Sequence, residues 1–324
     1  MRFLSSVTNR LLDSSIVFSF DQTGFLRHSK SFDESQCQVD MTGRVVLITG
    51  ANSGIGYATA LELAKKGAEV HLLCRNQERG QQAEAQIKEH TGHPGVFFHQ
   101  LDVSEFQSIR SFQNKWGEKP IHVLIHNAGV LPPTRTLTSD GLETTLATNL
   151  VGPFMLTRAL LPCLRAVHGS RLLFVTSGGM YLNRLNVKRL FQKEGAFDGV
   201  EAYACTKRAQ VVLTEQLANA LKETGVVVHS MHPGWADTPA VKTSLPRFHR
   251  LTSRILRTPA QGADTLIWLA ASHKAGESTG QFFFDRLAQP THVSKRTMES
   301  ADERDRLWRA LCEAIDLEPD SPWA

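Results

Sequence analysis

Val45-Val46-Leu47-Ile48 is a continuous apolar run that stops at Thr49-Gly50. A run without polar alternation reads as a strand buried on both faces, the environment of a central strand in a parallel sheet. Gly54 and Gly56 follow, and residues 54–66 place Ile55, Ala58, Leu61 and Leu63 at helical positions before Gly67 ends the pattern. Strand, glycine turn and helix in that order restrict the chain to βαβ architecture, with right-handed crossovers and helices on both faces of a parallel sheet.

The alternation continues. Val70 to Leu73 reads as a second strand, Gln77 to His90 as a helix stopped by Thr91-Gly92, and Val96-Phe97-Phe98 as a third strand ending at Leu101-Asp102. A helix is expected from Ser104 to Trp116 with Ser104 as its cap. Val123 to Ile125 is a fourth strand, followed by a long helix from Asp140 to about Val167 that Pro153 and Pro162 bend or break. Leu172 to Val175 is a fifth strand, Ala202 to Glu223 a helix, Val226 to Val228 a sixth strand and Gln281 to Phe284 a seventh. The expected fold is α/β: one domain at residues 41–290 with a doubly wound, seven-stranded parallel sheet. Residues 1–40, with Phe18, Phe20, Phe25 and Phe32, read as an arm packed across the surface. Residues 291–324 read as an extension whose helix starts with a Ser300/Glu303 capping box and presents Leu307, Leu311 and Ile315 on one face.

Composition excludes several classes. The chain has 324 residues, 41% hydrophobic and 21% charged, with a net charge of +4, which suits an enzyme with a sizeable core. Without a Lys/Arg run or basic-aromatic interleaving, nucleic acid is not an expected partner. Cys37, Cys74, Cys163, Cys205 and Cys312 are scattered, which argues against a disulfide framework or a metal site and for a reducing, cytoplasmic setting. No apolar run is long enough to span a membrane. Met1 to Leu12 is Ser-rich, carries Arg2 and Arg10 and lacks acids. It reads either as an ordinary arm or as an organellar leader.

Thr49-Gly50-Ala51-Asn52-Ser53-Gly54-Ile55-Gly56 joins the first strand to the first helix. Glycine lets backbone approach a pyrophosphate, and a helix N-terminus offers free amides and a positive dipole. The second strand ends Leu73-Cys74-Arg75. An NAD site places a carboxylate there for the ribose 2′-hydroxyl, whereas an Arg suits a 2′-phosphate, so NADP(H) is expected over NAD(H). Arg75 as a plain surface charge is the alternative. Asp102-Val103 closes the third strand, where Asp102 either bonds the adenine amino group or caps the next turn. Asn127-Ala128-Gly129 closes the fourth, and its small residues would admit adenosine.

Tyr203 and Lys207 are four residues apart, so a helix sets both on one face. A Lys ammonium beside a phenol favours the phenolate and lowers its pKa, making Tyr a usable acid/base group. Ser177 stands on the end of the fifth strand, with Thr176 as its rival for a hydrogen-bonding role.

These residues, in this order, resemble the short-chain dehydrogenase/reductase superfamily over roughly residues 40 to 290. The shared features are the glycine loop, Asn127-Ala128-Gly129, Asn149, Ser177, Tyr203-x-x-x-Lys207 and Pro233-Gly234 with Thr238. A narrower likeness to one branch is carried by Ser177-Gly178-Gly179-Met180, Phe197-Asp198-Gly199, Lys207-Arg208, Gln210 to Glu215, Met231 to Pro239 and Ala260 to Thr265. The resemblance implies a Rossmann-type fold and an oxidoreductase that interconverts a carbonyl and an alcohol. It implies Tyr203 as general acid/base, Lys207 on the nicotinamide ribose, Ser177 on the substrate oxygen and Asn149 holding a water beside Lys207. A buried structural Asn is the alternative for Asn149. Pro233, Gly234 and Thr238 would pass the nicotinamide and pyrophosphate, and Trp235 either walls the nicotinamide or fills core. Ser177 precedes Tyr203 by 26 residues, a long gap like that of retinol-dehydrogenase-like groups. A homodimer paired through the helices after strands four and five is implied, with a monomer as the alternative. An NADP(H)-binding sensor or scaffold without useful turnover is the alternative to an enzyme.

Gly178 to Glu201, with Met180, Tyr181, Leu182, Phe191 and Phe197, and Ala240 to Arg257 are expected to shape the substrate pocket. Their apolar content suggests a lipophilic, retinoid-, steroid- or lipid-like substrate. Arg247, Arg250, Arg254 and Arg257 recur at steps that give a helix one basic face. That face is either a solvated lid or a contact with an anionic membrane or acidic substrate tail.

Overall fold

The computed structural model describes residues 16–323, so the two readings of residues 1–12 lie outside the described residues. One sheet runs in the order β3-β2-β1-β4-β5-β6-β7-β8. Its strands are β1 Val45–Thr49, β2 Glu69–Cys74, β3 Val96–Gln100, β4 Val123–His126, β5 Arg171–Val175, β6 Val227–His232, β7 Gln281–Phe284 and β8 Leu287–Gln289. Strands β1 to β7 are mutually parallel, and β8 runs antiparallel to β7. All seven expected strands are present, but the expected seven-stranded sheet is corrected to eight strands. The turn into β8 is Asp285-Arg286, with φ of 48° and 61°. Hairpin turns of that shape favour Asn-Gly or Asp-Gly, and Asp-Arg carries a weaker signal.

The longer helices are α1 Gly54–Lys65, α2 Gln77–Thr91, α3 Phe106–Trp116, α4 Gly152–Arg165, α5 Gly199–Ala220, α6 Pro259–Ala271 and α7 Ala301–Ala314. Residues of α1, α2 and α6 form one hydrophobic layer on the sheet. Residues of α3, α4, α5 and α7 form the other. Every residue of β1 is buried, as its unbroken apolar run requires.

Two boundaries differ from expectation for identifiable reasons. Ser104 does not cap α3. Its amide and hydroxyl both donate to Asp102 Oδ1, at 3.0 and 2.7 Å, and the first amide of α3, Phe106, donates instead to distant Asp140 at 2.9 Å. The long helix after β4 is three pieces: a turn at Thr144–Leu146, a π-helical turn at Ala147–Val151, and α4. Pro153 sits where the π-turn passes into α4, so its missing N–H falls at the junction of two helical pieces. π-Turns within helices concentrate at functional sites, and this one carries Asn149.

The arm helices Ile16–Phe20 and Gln22–His28 lie against the carboxyl edge of the sheet. Trp235 N donates to Phe20 O and Gln22 N to Ile255 O, both at 2.8 Å. At the other end of the chain, Leu307 and Leu311 of α7 are fully buried in the layer containing α4 and α5. Trp323 lies tilted beside Phe154 of α4, with ring centres 5.0 Å apart. The faces expected to pair in a homodimer are thus in contact with the chain's own C-terminal extension. Ser300 caps α7, but Glu303 accepts from Val187 N at 3.0 Å, so only half of the expected capping box forms.

Gly152 marks the tightest junction near the site. A Cβ there would overlap the Val103 carbonyl oxygen, although the backbone φ of −60° suits any residue. Gly152→Ala is therefore expected to destabilise the protein by about 1–3 kcal/mol through overpacking. Chemical denaturation checks this; unchanged stability would show that the junction can relax.

Candidate active site

The glycine loop follows β1 and starts α1. Gly50 and Gly54 have φ of +67° and +57°, conformations that disfavour a side chain. Gly56 has a different reason: a Cβ would sit 2.5 Å from both Asn127 Nδ2 and the Gly50 carbonyl oxygen. Asn127 ties the loop down, donating to the carbonyls of Thr49 and Gly50 at 2.9 and 3.1 Å. Thr49 returns the bond, its hydroxyl accepting from the amides of Asn127 and Ala128 at 3.0 Å each. Thr49 was not singled out from sequence, because one Thr at a strand end carries no signal.

The N-terminus of α1 has no side-chain cap and no acid in its first turn. Asn52 and Ser53 face a groove of about 330 Å³ whose other lining residues are Arg79, Gln82, Ala83, Gln86 and Pro239. Those groups fit a dinucleotide: free amides for phosphate, an Arg and no carboxylate. Arg75 and Arg79 are both exposed at the end of β2 and the start of α2. Arg79 was missed from sequence, and its only signal was its place one turn beyond Arg75. Cys74 holds the loop rather than meeting solvent. Burial raises its thiol to about 11, while the amides of Ala51 and Asn52 donate to the sulfur. Asp102 is engaged as a turn cap by Ser104, and Val103 is buried against Gly152. Ile55 is half-buried, close to Gly262 of α6.

Ser177, Tyr203 and Lys207 are brought together at the ends of β5 and α5. Asp198 caps α5 through the amides of Val200 and Glu201, fixing where the helix begins. Ser177 precedes a 3₁₀ turn at Gly178–Leu182 and accepts from Gly179 N at 3.3 Å. Burial raises the Tyr203 phenol, and a hydrogen bond with the Ser177 side chain opposes that rise. Thr176, the rival to Ser177, is buried and spends its hydroxyl on the Lys207 carbonyl at 3.0 Å.

Lys207 is 3% exposed and its Nζ lies 5.4 Å from the Tyr203 ring centre. The expectation that Lys207 lowers the Tyr203 pKa is corrected here. Burial outweighs other effects on Tyr203, and burial also pushes the Lys207 ammonium down to about 7. Lys207 donates to Val175 O at 2.8 Å and Gln210 Oε1 at 3.1 Å.

Asn149 is fully buried. Its side chain accepts from Val130 N at 2.8 Å and donates to Val130 O and Thr206 Oγ1, each at 3.1 Å. Its main-chain carbonyl accepts from Gln210 Nε2 at 2.6 Å. Gln210 therefore bridges Lys207 and Asn149, a role that spacing alone did not mark. A Cβ on Gly129 would lie 3.4 Å from Lys207 Nζ and 3.5 Å from Asn149 Oδ1, so the loop after β4 passes directly over both groups.

After β6, Pro233-Gly234 turns sharply. Gly234 has φ of +74°, and a Cβ would overlap the Arg257 guanidinium. Thr238 touches Gly54 and caps the short helix Pro239–Ser244. Trp235 is half-buried between Phe20 and Phe248, at 6.2 and 5.2 Å. The expected basic face does not exist as such. Arg247, Arg250 and Arg254 are exposed, but Arg257 is fully buried and pairs with Asp285 at 2.6 Å. The insertion after Ser177 is largely used up in packing: Met180 is buried, Tyr181 donates to Pro290 O, and Leu182 remains 74% exposed. Among the described residues there is no metal-binding cluster and no helix long and apolar enough to cross a membrane.

Comparison with known proteins agrees with this fold. The short chain dehydrogenase family profile matches residues 44–247. The chain is 43% identical over 295 residues to dehydrogenase/reductase SDR family member 12 of Bos taurus, covering 90% of this chain and 92% of that one. That is the branch to which the narrower sequence likeness points. It is 37% identical to human retinol dehydrogenase 11, covering 86% and 88%. Among solved structures, a protein of uncharacterised function from Mycobacterium paratuberculosis aligns with a TM-score of 0.69 at 28% identity, covering 86% of this chain and 96% of that one. A short chain dehydrogenase from Escherichia coli CFT073, complexed with NADPH, aligns with a TM-score of 0.62 at 25% identity, covering 77% and 99%. The chain belongs to the short chain dehydrogenase family and is an oxidoreductase acting on CH–OH groups.

Proposed function

We propose that the protein reduces a lipophilic carbonyl compound to an alcohol, with NADPH preferred over NADH. The observation that carries this reading is the placement of buried Lys207, its Nζ 5.4 Å from the Tyr203 ring centre and 2.8 Å from Val175 O, beside Ser177 at the sheet edge that also bears the glycine loop. When bound, NADPH would supply a hydride to the carbonyl carbon. Tyr203 gives its phenolic proton to the carbonyl oxygen, so that C=O becomes CH–OH. Ser177 donates a hydrogen bond to that oxygen as negative charge develops. Lys207 and Gln210 line the route by which Tyr203 regains a proton, with Asn149 holding them in place.

Gly50, Asn52, Ser53, Gly54, Ile55 and Gly56 cradle the phosphates, and Asn127, Ala128 and Gly129 accommodate the adenosine side. Asp102 and Val103 border the adenine. Pro233, Gly234 and Thr238 face the nicotinamide half. Arg75 and Arg79 recognise the 2′-phosphate, supported by their exposure and by the lack of a carboxylate in the groove. Exposed Leu182 and Leu251 favour an apolar substrate.

Tyr203→Phe is expected to abolish NADPH-dependent turnover while leaving NADPH affinity within about twofold, since the phenol acts only on the reacting oxygen. Substantial residual turnover would sink the assignment. Arg75→Ala combined with Arg79→Ala should weaken NADPH binding at least about tenfold and leave NADH binding unchanged, because each lost charge-assisted bond costs more than a tenfold equivalent. Parallel loss for both nucleotides, read by fluorescence titration, would contradict the 2′-phosphate role.

Lys207 predicts a pH dependence. Its ammonium is held near 7 in the fold against an ordinary 10.5. Between those values the unfolded chain holds a proton that the native state has released, so stability rises with pH across that window. The stability difference between wild type and Lys207→Met, both without cofactor, should therefore move in favour of wild type from pH 7 to pH 10. A flat difference in urea unfolding would show that Lys207 stays charged when buried.

A further inference from the structure

Ser177 is followed by two amides with different partners. Gly179 N donates to the Ser177 hydroxyl, and Gly178 N donates to His232 Nδ1 at 3.0 Å. His232 ends β6 and is 2% exposed. Because Nδ1 accepts, the ring proton belongs on Nε2, and Nε2 is a buried atom without a hydrogen-bond partner among the described residues. An orphaned buried N–H is costly, so a ring that served only to fill space would be better apolar.

The ring is clamped. Phe284 stacks on it at 5.2 Å, and Phe20 of the arm meets it edge-on at 4.4 Å. A Cβ on Gly178 would sit 2.5 Å from the Phe20 ring and 2.8 Å from His232 Nε2, so arm, imidazole and Gly178 backbone are in direct contact. The arm is itself anchored. Arg257 donates to the Asp21 and Ser19 carbonyls at 3.1 and 3.0 Å and to both carboxylate oxygens of Asp285.

We propose that His232, clamped by Phe20 of the N-terminal arm, is the positioning residue for Ser177. Its Nδ1 fixes the Gly178 amide and so the direction of the 3₁₀ turn that aims the Ser177 hydroxyl at Tyr203. Burial holds the imidazole neutral, pushing it down to about 3, so Nδ1 remains an acceptor at any working pH. Neither His232 nor Phe20 touches the reacting atoms, and the arm becomes part of the active-site scaffold. This rests on the proposed role of Ser177.

The test uses the full chain, two changes of similar shape at His232, and Phe20→Ala. Asn can present its Oδ1 where Nδ1 stands, while Phe keeps the ring and removes the acceptor. With straight-chain aldehydes from butanal to decanal and NADPH, His232→Phe is expected to lower kcat about 10- to 100-fold, the scale of a misaimed group. KM and NADPH affinity should stay within about threefold. His232→Asn should recover most of kcat, and Phe20→Ala should lower it in the same sense. Hydrogen exchange of residues 176–182 should quicken in His232→Phe and not in His232→Asn. Equal kcat in the Phe and Asn variants, or equal exchange, would overturn the positioning role. If the wild type turned over none of these aldehydes, the proposed reaction on them would fall, while the exchange comparison would still decide the role of His232.

Discussion

Parallel pairing of β1 to β7 brings seven carboxyl ends to one edge, and the candidate chemistry of this protein hangs from that edge. The loops there cannot rely on the sheet for their backbone bonds. They are held by side chains from neighbouring strand ends instead. Thr49 and Asn127 exchange bonds between the loops after β1 and β4. His232 does the same between β6 and the turn after β5. Each link crosses one strand boundary, joining the glycine loop to the Asn127 loop and the Ser177 turn to the end of β6.

The same edge concentrates buried polar groups that a core would otherwise exclude. Lys207, Asn149, Gln210 and Arg257 are each 3% exposed or less, and each has several hydrogen bonds. A buried charge is tolerated only when paired or neutralised. Arg257 takes the first course, with Asp285 and arm carbonyls as partners. Lys207 takes the second, its ammonium pushed down to about 7 among neutral acceptors. One arginine therefore serves architecture, while the lysine keeps a proton that can come and go near neutral pH.

Much of this was legible in the chain. The apolar runs located all seven parallel strands, because a strand covered on both faces has no polar alternation to confuse it. Gly50, Gly54 and Gly56 marked the loop, and the four-residue step marked Tyr203 and Lys207 on one helix face. Four features were not legible, for physical reasons. The cap of α3 comes from Asp140, far along the chain. Arg257 looked like the fourth residue of a basic face because periodicity says nothing about which face is buried. Strand β8 follows a turn of Asp285-Arg286, whose side chains are poor turn signals. The sign of the Tyr203 shift depends on burial, which a local sequence pattern does not measure.

The sequence by itself determined the fold class, the place of the cofactor loop and the order of the candidate site residues. These follow from local periodicity, backbone freedom at glycine and helical spacing, all of which act within a few residues. Only the tertiary structure decided which polar groups are buried, that Lys207 sits near neutrality, and that the arm reaches Gly178 through Phe20. Those outcomes depend on contacts between segments tens to hundreds of residues apart, as when Arg257 meets Ser19 and Asp21. Desolvation and close packing are set by where such segments meet, and no local pattern encodes that.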